Sequence, residues 1–370
     1  MKKEIKKIAV FTSGGDCPGL NSALRAIVNR AHYKYGWEIY GMKNGTLSFF
    51  EGELEYQILT PKDFNFYESR ISGSILGCMN KGFSPFDFPL LNKGKVIMPA
   101  GEKDLTPLFK KYIKKLGIDG IIMTGGDGSM NIIYNLCKIA GINVIGIPKT
   151  IDNDTPLTET SIGYSSAVDS CVDAMDSLIT TAKSHQKWMI LEVMGRHAGH
   201  IAIKTGIAGG ADIILMPEID YKIENIIKKI KMVEKEEDRD YGLIVVAEGA
   251  LPKNQNGDAG KFIVTKLKEA NIDSRSVTLG HIQRGGRPNA YDRFLATSFG
   301  VRAVDSLANG DEYKMMSYNK TGFAKIDLQN VANSVTESVD IKSQKIKTAL
   351  DMGIYIGEIK YSNFTDHKLF

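Results

Sequence analysis

Between Gly120 and Asp154 the chain reads GIIMT, then GGDGS, a helical run MNIIYNLCKIAG, a second apolar run NVIGI and finally PKTIDND. An apolar strand, a glycine turn, a helix and another apolar strand make a βαβ unit, and parallel strands joined this way cross over right-handed. The same alternation recurs along the chain. Ile8–Thr12 precedes SGGDCPG and the helical LNSALRAIVNRA, and WMILEVM precedes GRHAGH after a helix from about Ser165 to Thr181. DIILMPE leads into an amphipathic helix, and GLIVVAEG into a helix near Lys261–Ala270. SVTLGHIQRGG leads into a helix from Tyr291 to about Ala308. This pattern predicts the α/β class with parallel sheets, and ligands at the carboxyl ends of the strands. At 370 residues the chain has room for two such sheets, each with its own core.

Other stretches carry weaker signals. Leu105, Leu108, Phe109, Tyr112, Ile113 and Leu116 recur at helical spacing, with Gly117 as the stop. Ile223, Ile226, Ile227, Ile230 and Val233 line one face of a helix whose other face is lysine and glutamate. Residues 39–42 and 56–59 are weaker strand candidates, and Gly82, Pro85 and Pro89 break any periodicity between about Met79 and Pro99. Beyond about Asp311 the pattern is least informative: one helix in DIKSQKIKTALDMG, then IYIGE as a possible strand.

Lys and Arg number 47 against 43 Asp and Glu, a balance that suits small anionic ligands and gives no case for nucleic acid. Cys17, Cys78, Cys137 and Cys171 lie far apart, without the CxxC spacing of a zinc site, and point to a reducing cytosol. MKKEIKKIAVF has lysines but no long apolar stretch behind them, so no signal peptide is expected. No apolar run approaches the ~18 residues of a membrane helix. A cytoplasmic protein without membrane or nucleic-acid partners is the expectation.

Two loops carry the sharpest chemistry. In GGDGS, backbone amides and a helix N-terminus can cradle phosphates, with Asp127 beside Mg²⁺; a tight turn is the competing reading of its glycines. Gly15 in SGGDCPG is a second glycine of this kind. In PKTIDND, Asp152 and Asp154 flank Asn153 at a strand end. A hydroxyl acceptor needs a base in line with the transferring phosphoryl, which Asp152 would supply, while Asp154 would orient or help hold the metal. Arg196, His281 and Arg284 arrive on further Gly-rich loops suited to phosphate binding, and Arg275 lies upstream. Glu248 could accept sugar hydroxyls. His197 and His200 lack a Cys or acidic partner at metal spacing. There is no GxxxxGK[ST], so this is not a P-loop chain, and no GxGxxG follows the first strand.

Together these segments resemble the 6-phosphofructokinase family. The matching blocks are TSGGDCPGLNSALR, GIIMTGGDGSMN, PKTIDND, SIGYSSAVDS, SHQKWMILEVMGRHAG, AGGADIILMPE, VAEG and LGHIQRGGRPNAYDR, in family order. The resemblance implies two Rossmann-like three-layer α/β domains: 1–163 with 283–335 for the donor, and 164–282 with 336–370 for fructose 6-phosphate. It implies phosphoryl transfer from ATP to O1 of that sugar, with Asp152 as base and Asp127 as the Mg²⁺ carboxylate. Gly15, Gly126, Asp127, Gly128 and Ser129 fall to the donor. Thr150, Ile151, Asp152, Lys187, Met194, Gly195, Arg196, Glu248, Arg275, His281 and Arg284 fall to the sugar phosphate, Thr150 and Asp154 also assisting catalysis. Arg275 reaching a neighbouring subunit implies a homodimer or homotetramer with shared active sites. Asn80 stands where the family usually has a donor-phosphate arginine, with Lys81 next, and both fall to the donor; Lys187 stands where many members have arginine. Gly128 points to ATP, because pyrophosphate users carry an aspartate there that would repel the nucleotide's α-phosphate. Lys149 is the residue pyrophosphate users carry, so a pyrophosphate-dependent enzyme is the alternative. A catalytically weak regulatory paralogue is a third reading.

Overall fold

The computed structural model describes residues 4–49, 54–65, 67–78, 90–92, 95–97 and 105–359. Asn80 and Lys81 lie outside these residues. In the first half of the chain the elements are β1 (Lys7–Thr12), α1 (Leu20–Arg30), β2 (Glu38–Met42), β3 (Tyr56–Leu59), β4 (Leu90–Asn92) and β5 (Lys95–Ile97). After them come α2 (Thr106–Leu116), β6 (Gly120–Gly125), α3 (Asp127–Ala140), β7 (Asn143–Thr150) and β8 (Ile162–Gly163). The second half contains α4 (Tyr164–His185), β9 (Trp188–Val193), α5 (His200–Ala208), β10 (Ile213–Leu215), α6 (Ile223–Glu236), β11 (Gly242–Ala247), α7 (Ala259–Glu269) and β12 (Ser274–Thr278). The final elements are α8 (Ala290–Ala308), β13 (Lys314–Asn319), β14 (Gly322–Asp327), α9 (Leu328–Asn333) and α10 (Gln344–Asp351).

The chain forms two compact units: Met1–Thr150, Thr155–Ser165 and Arg284–Thr336 in one, Ile151–Asp154, Ser166–Gln283 and Glu337–Phe370 in the other. In the first, an eight-stranded sheet runs β14-β13-β7-β6-β1-β2-β3, with β8 paired to β7. Its centre is parallel, and all six residues of β6 are buried, as a strand covered on both faces must be. The helices end where left-handed glycines stop them: Gly117 after α2 (φ 66°) and Gly141 after α3 (φ 68°). Helix α8 packs tightly on α1; a Cβ at Gly300 would lie 2.7 Å from the Ala23 carbonyl oxygen.

The edges depart from the parallel expectation. Strand β3 runs antiparallel to β2, and β13 and β14 form an antiparallel hairpin. That hairpin and α9 occupy the stretch whose sequence pattern was least informative, yet Met315, Leu328 and Val331 sit in the core with Met130 and Ile133. Its turn uses Lys320 and Thr321 rather than the Asn-Gly pair that announces a hairpin. The Asn319 side-chain oxygen accepts from the Thr321 amide and hydroxyl instead, closing an Asx turn.

In the second unit a four-stranded sheet runs β10-β11-β9-β12, parallel throughout. Helix α6 buries Ile226, Ile230 and Val233, each worth roughly 1.5–3 kcal/mol of transfer free energy, while Ile223 and Ile227 are half-buried. The IYIGE run supplies only one parallel bridge, Tyr355 to Ile213. Cys17, Cys137 and Cys171 are buried free thiols whose pKa burial raises, which leaves them little thiolate. Among the described residues no helix is long and apolar enough to cross a membrane.

Candidate functional site

In the first unit, the loops after β1 and β6 meet the end of β7 at the carboxyl ends of these strands. The Ser13 amide donates to the Thr124 carbonyl at 2.9 Å and ties the first loop to the end of β6. Lys149, the penultimate residue of β7 and 3% exposed, donates from Nζ to the Gly15 carbonyl at 2.5 Å. A Cβ at Gly14 would lie 3.2 Å from that Nζ and 3.4 Å from Ser129 Oγ, so Gly14, Ser129 and Lys149 converge. Arg284 donates from Nη1 to the Asp16 carbonyl at 3.0 Å and lies over Gly15, where a Cβ would come within 2.4 Å of it. Expected among the sugar-phosphate groups, Arg284 packs on the loop expected to hold the donor. Two cations and a helix N-terminus therefore share one loop cluster, an arrangement that suits phosphate.

The three glycines of GGDGS differ in what the fold asks of them. A Cβ at Gly125 would strike Met123 Cε at 2.7 Å and Ser129 Cβ at 2.8 Å, so packing alone demands glycine there. At Gly126, the N-cap of α3, the nearest atom would be the Lys149 carbonyl oxygen at an ordinary 3.7 Å. At Gly128, exposed in the first turn of α3, a Cβ would meet nothing within 4 Å. Neither has the positive φ that favours glycine. Packing thus accounts for Gly125 but not for Gly126 or Gly128, and none of the three has the positive φ of a tight turn. At the N-cap Gly126 glycine is an ordinary choice, but within the helix, at Gly128, it is disfavoured by about 0.5–1 kcal/mol relative to alanine, and close approach of a ligand is a physical reason to keep it there.

Asp127 opens α3, and its Oδ2 accepts from the Thr336 hydroxyl at 3.0 Å. Sequence reasoning missed Thr336: 209 positions separate the pair, and nothing in the local pattern of Thr336 marks it. Among the described residues no group of three or more His, Cys, Asp or Glu side chains could hold a metal. A lone carboxylate fits Mg²⁺, which takes one or two carboxylates and completes its shell with phosphates and waters.

In the second unit, Asp152 is 3% exposed, and Arg196 Nε lies 3.6 Å from its Oδ2. The turn that delivers Arg196 is strained: Gly195 has φ 138° and Arg196 φ 53°. The Glu248 Oε1 accepts from the Arg196 amide at 2.8 Å, fastening this turn to the end of β11. At Gly249 a Cβ would come within 1.9 Å of the Arg196 carbonyl oxygen, so the VAEG loop needs its glycine for this approach. Asp152, Arg196 and Glu248, singled out separately, are thereby brought together. Ile151, Asn153 and Asp154 are buried beside Asp152 in the chain, and Thr150 is half-buried at the end of β7.

Met194 donates from its amide to Gln283 Oε1 at 3.2 Å. Gln283 is wholly buried and also receives the Cys171 thiol at 3.1 Å. It sits inside HIQRGG between two residues sequence reasoning picked out, and went unnoticed because a neutral amide does not advertise chemistry. His281 is exposed on the 3₁₀ turn Gly280–Arg284. Lys187 and Arg275 meet through a third residue, Asp273, at 3.1 Å and 2.9 Å. The Lys187 ammonium, chiefly, holds the Asp273 carboxyl below its usual range.

His200 opens α5, is buried, and places Nε2 3.3 Å from the Glu337 carbonyl oxygen. Burial, and secondarily the charge of Lys345, push its pKa from 6.5 down to about 4. The unfolded imidazole takes its proton near 6.5 and the folded one only near 4, so the unfolded chain binds more protons in between. Stability present above pH 6.5 is therefore lost as the pH falls through this window, by about 2 kcal/mol at pH 5. Chemical denaturation at pH 7 and pH 5 should show this slope, and His200→Gln should flatten it.

The chain matches the Phosphofructokinase family model over residues 7–307. It is 38% identical over 368 residues to ATP-dependent 6-phosphofructokinase 1 of Synechocystis sp., covering 96% of this chain and 99% of that one. It is 37% identical over 379 residues to ATP-dependent 6-phosphofructokinase 2 of Clostridium perfringens, again covering 96% and 99%. Among solved structures it is similar to phosphofructokinase from Saccharomyces cerevisiae, with TM-score 0.73 and 26% identity over 94% of this chain. It spans 47% of that yeast chain. A pyrophosphate-dependent phosphofructokinase from Marinobacter aquaeolei shares the fold, with TM-score 0.76 at 22% identity over 96% of this chain and 93% of that one. With the family matched from β1 into α8, and relatives aligned over nearly the whole length, the chain belongs to the phosphofructokinase family.

Proposed function

We propose that the protein is an ATP- and Mg²⁺-dependent 6-phosphofructokinase, converting fructose 6-phosphate and ATP to fructose 1,6-bisphosphate and ADP in the cytoplasm. The observation that carries this reading is the open space at Gly128, a glycine that neither packing nor a positive φ requires, with only an ordinary contact at Gly126 beside it. The names of the relatives in Synechocystis and Clostridium support the same donor.

The first unit would bind the donor and the second the sugar phosphate. The α3 amides with Lys149 and Arg284 would take the donor's phosphate oxygens, whose charge in transit they offset. Asp127 would hold Mg²⁺, which neutralises part of the charge on the bound phosphates. Asp152 takes the O1 proton of the sugar as that oxygen attacks the transferred phosphoryl group. Arg196 orients Asp152 and offers its exposed guanidinium to the phosphoryl, while Glu248 accepts sugar hydroxyls. Met194, Gly195 and His281 complete the acceptor side. Lys187 and Arg275, joined through Asp273, would serve the sugar's 6-phosphate in a homo-oligomer with shared sites.

Steady-state assays with ATP and with pyrophosphate, at fixed Mg²⁺ and fructose 6-phosphate, test the donor. Turnover with ATP is expected, lost on chelating the metal. Turnover with pyrophosphate alone would move the enzyme to that donor, the reading Lys149 favours. Its Nζ is engaged with the Gly15 carbonyl, a loop-holding role compatible with either donor. No turnover with any donor would favour a regulatory paralogue.

A further inference from the structure

We infer that Glu218, at the end of the AGGADIILMPE block, is a positioning residue that clamps the Arg196 turn and the Asp152–Asp154 loop of the second unit. The inference rests on the phosphofructokinase reading above and concerns a residue that touches no substrate in it. Glu218 Oε1 accepts from the Gly199 amide at 2.9 Å and from the Val339 amide at 2.8 Å. Its Oε2 lies 3.1 Å from the Gly199 amide as a second acceptor. Every partner is a donor: Oε1 alone accepts from both amides, and a carboxylate adds a second acceptor beside the Gly199 N–H, where a glutamine would place its NH₂.

The position of these bonds gives them their meaning. The turn Met194–Gly199 places Gly195 at φ 138°, which glycine adopts freely, and Arg196 at φ 53°, which costs a non-glycine residue on the order of 1–3 kcal/mol and persists only where surrounding contacts hold it. Inside the turn, the Ala198 amide donates to the Gly195 carbonyl at 2.9 Å. Outside it there is one carboxylate on each side: Glu248 on the Arg196 amide and Glu218 on the Gly199 amide. The approach at Gly199 is close, since a Cβ there would sit 2.5 Å from Met216 Cβ and 2.8 Å from Glu218 Oε2.

The second arm of Glu218 runs the other way. Val339 lies two residues after Glu337, whose amide donates to the Asp154 carbonyl at 2.9 Å. One carboxylate thus fastens both the turn that carries Arg196 and the segment that holds the loop of Asp152. A displacement of about 1 Å at reacting groups can cost ~100-fold in rate, so loosening this clamp should lower kcat without touching donor binding.

The test compares wild type, Glu218→Ala, Glu218→Gln and a control, Val233→Ala, which truncates the α6 core in the same unit. Glu218→Ala should lower kcat by roughly 10–100-fold with the KM for ATP within about twofold of wild type. Amide exchange should quicken in peptides covering 194–199 and 337–339. Glu218→Gln, whose NH₂ would face the Gly199 N–H, should quicken exchange at 194–199 and lower kcat by several-fold, on the order of 3–10. Val233→Ala should lower Tm and leave kcat near wild type. The clamp is overturned if Glu218→Ala keeps kcat within twofold, or if Val233→Ala loses as much kcat at equal loss of Tm. Should Glu218→Ala fail to fold, unchanged kcat and unchanged exchange in Glu218→Gln overturn it equally. A wild type without turnover would fail the functional reading alone, since the exchange measurement reads the clamp without activity.

Discussion

Asp152→Asn should lower kcat by ~10²–10⁴-fold while leaving the affinity for fructose 6-phosphate within a few-fold of wild type. Asparagine matches aspartate in shape but cannot take the O1 proton, so the loss falls on the chemical step. The substitution is also gentle to the fold. Arg196, the ion-pair partner of Asp152, has a side chain 56% exposed, so water can solvate its charge when the carboxylate is gone. Single-turnover rates with ATP, alongside binding measured by calorimetry and a melting curve, separate these effects. An unchanged kcat would remove Asp152 from the role of base and with it the mechanism.

Gly128→Asp should cost the enzyme ATP as a donor without costing it stability. No atom lies within 4 Å of a Cβ at Gly128, and the position is exposed in the first turn of α3. A carboxylate there favours the helix through its dipole by about 0.3–1 kcal/mol, and replacing glycine adds a similar gain. Tm should therefore hold or rise. Facing a nucleotide's α-phosphate, the new charge would repel it; two unit charges about 4 Å apart at an effective dielectric near 20 differ by ~4 kcal/mol, on the order of 10³-fold in kcat/KM. Pyrophosphate has no α-phosphate ester to repel, so any turnover with it should survive. ATP kinetics equal to wild type in a variant of normal Tm would refute the steric and charge argument.

The reach of local pattern explains what could be read beforehand. The buried strands β6, β9 and β11 announce themselves because both faces are covered, which makes the apolar run continuous. GGDGS and PKTIDND could be read because each concentrates its chemistry within seven residues or fewer of a strand end. The hairpin of β13 and β14 escaped notice because Lys320 and Thr321 are not turn formers, and their Asx turn shows only once Asn319 is folded back on them. Thr336, Gln283 and Glu218 escaped for a different reason. Each acts by a single hydrogen bond, or a pair, to a backbone amide or a side chain far away in the chain, and such bonds impose no periodicity.

The sequence alone determined the fold class, the family resemblance and the two acidic loops, because strand burial, helix stops and glycine turns are local constraints written in consecutive residues. Only the tertiary structure decided which glycines the packing itself demands, since that depends on atoms from other segments: Met123 crowds Gly125, while nothing crowds Gly128. It alone decided that Asp152, Arg196 and Glu248 gather at one strained turn, because their contacts join residues 44 and 52 positions apart or more. Chain connectivity carries no record of such contacts; they exist only where folding brings carboxylates from one segment against amides and cations of another.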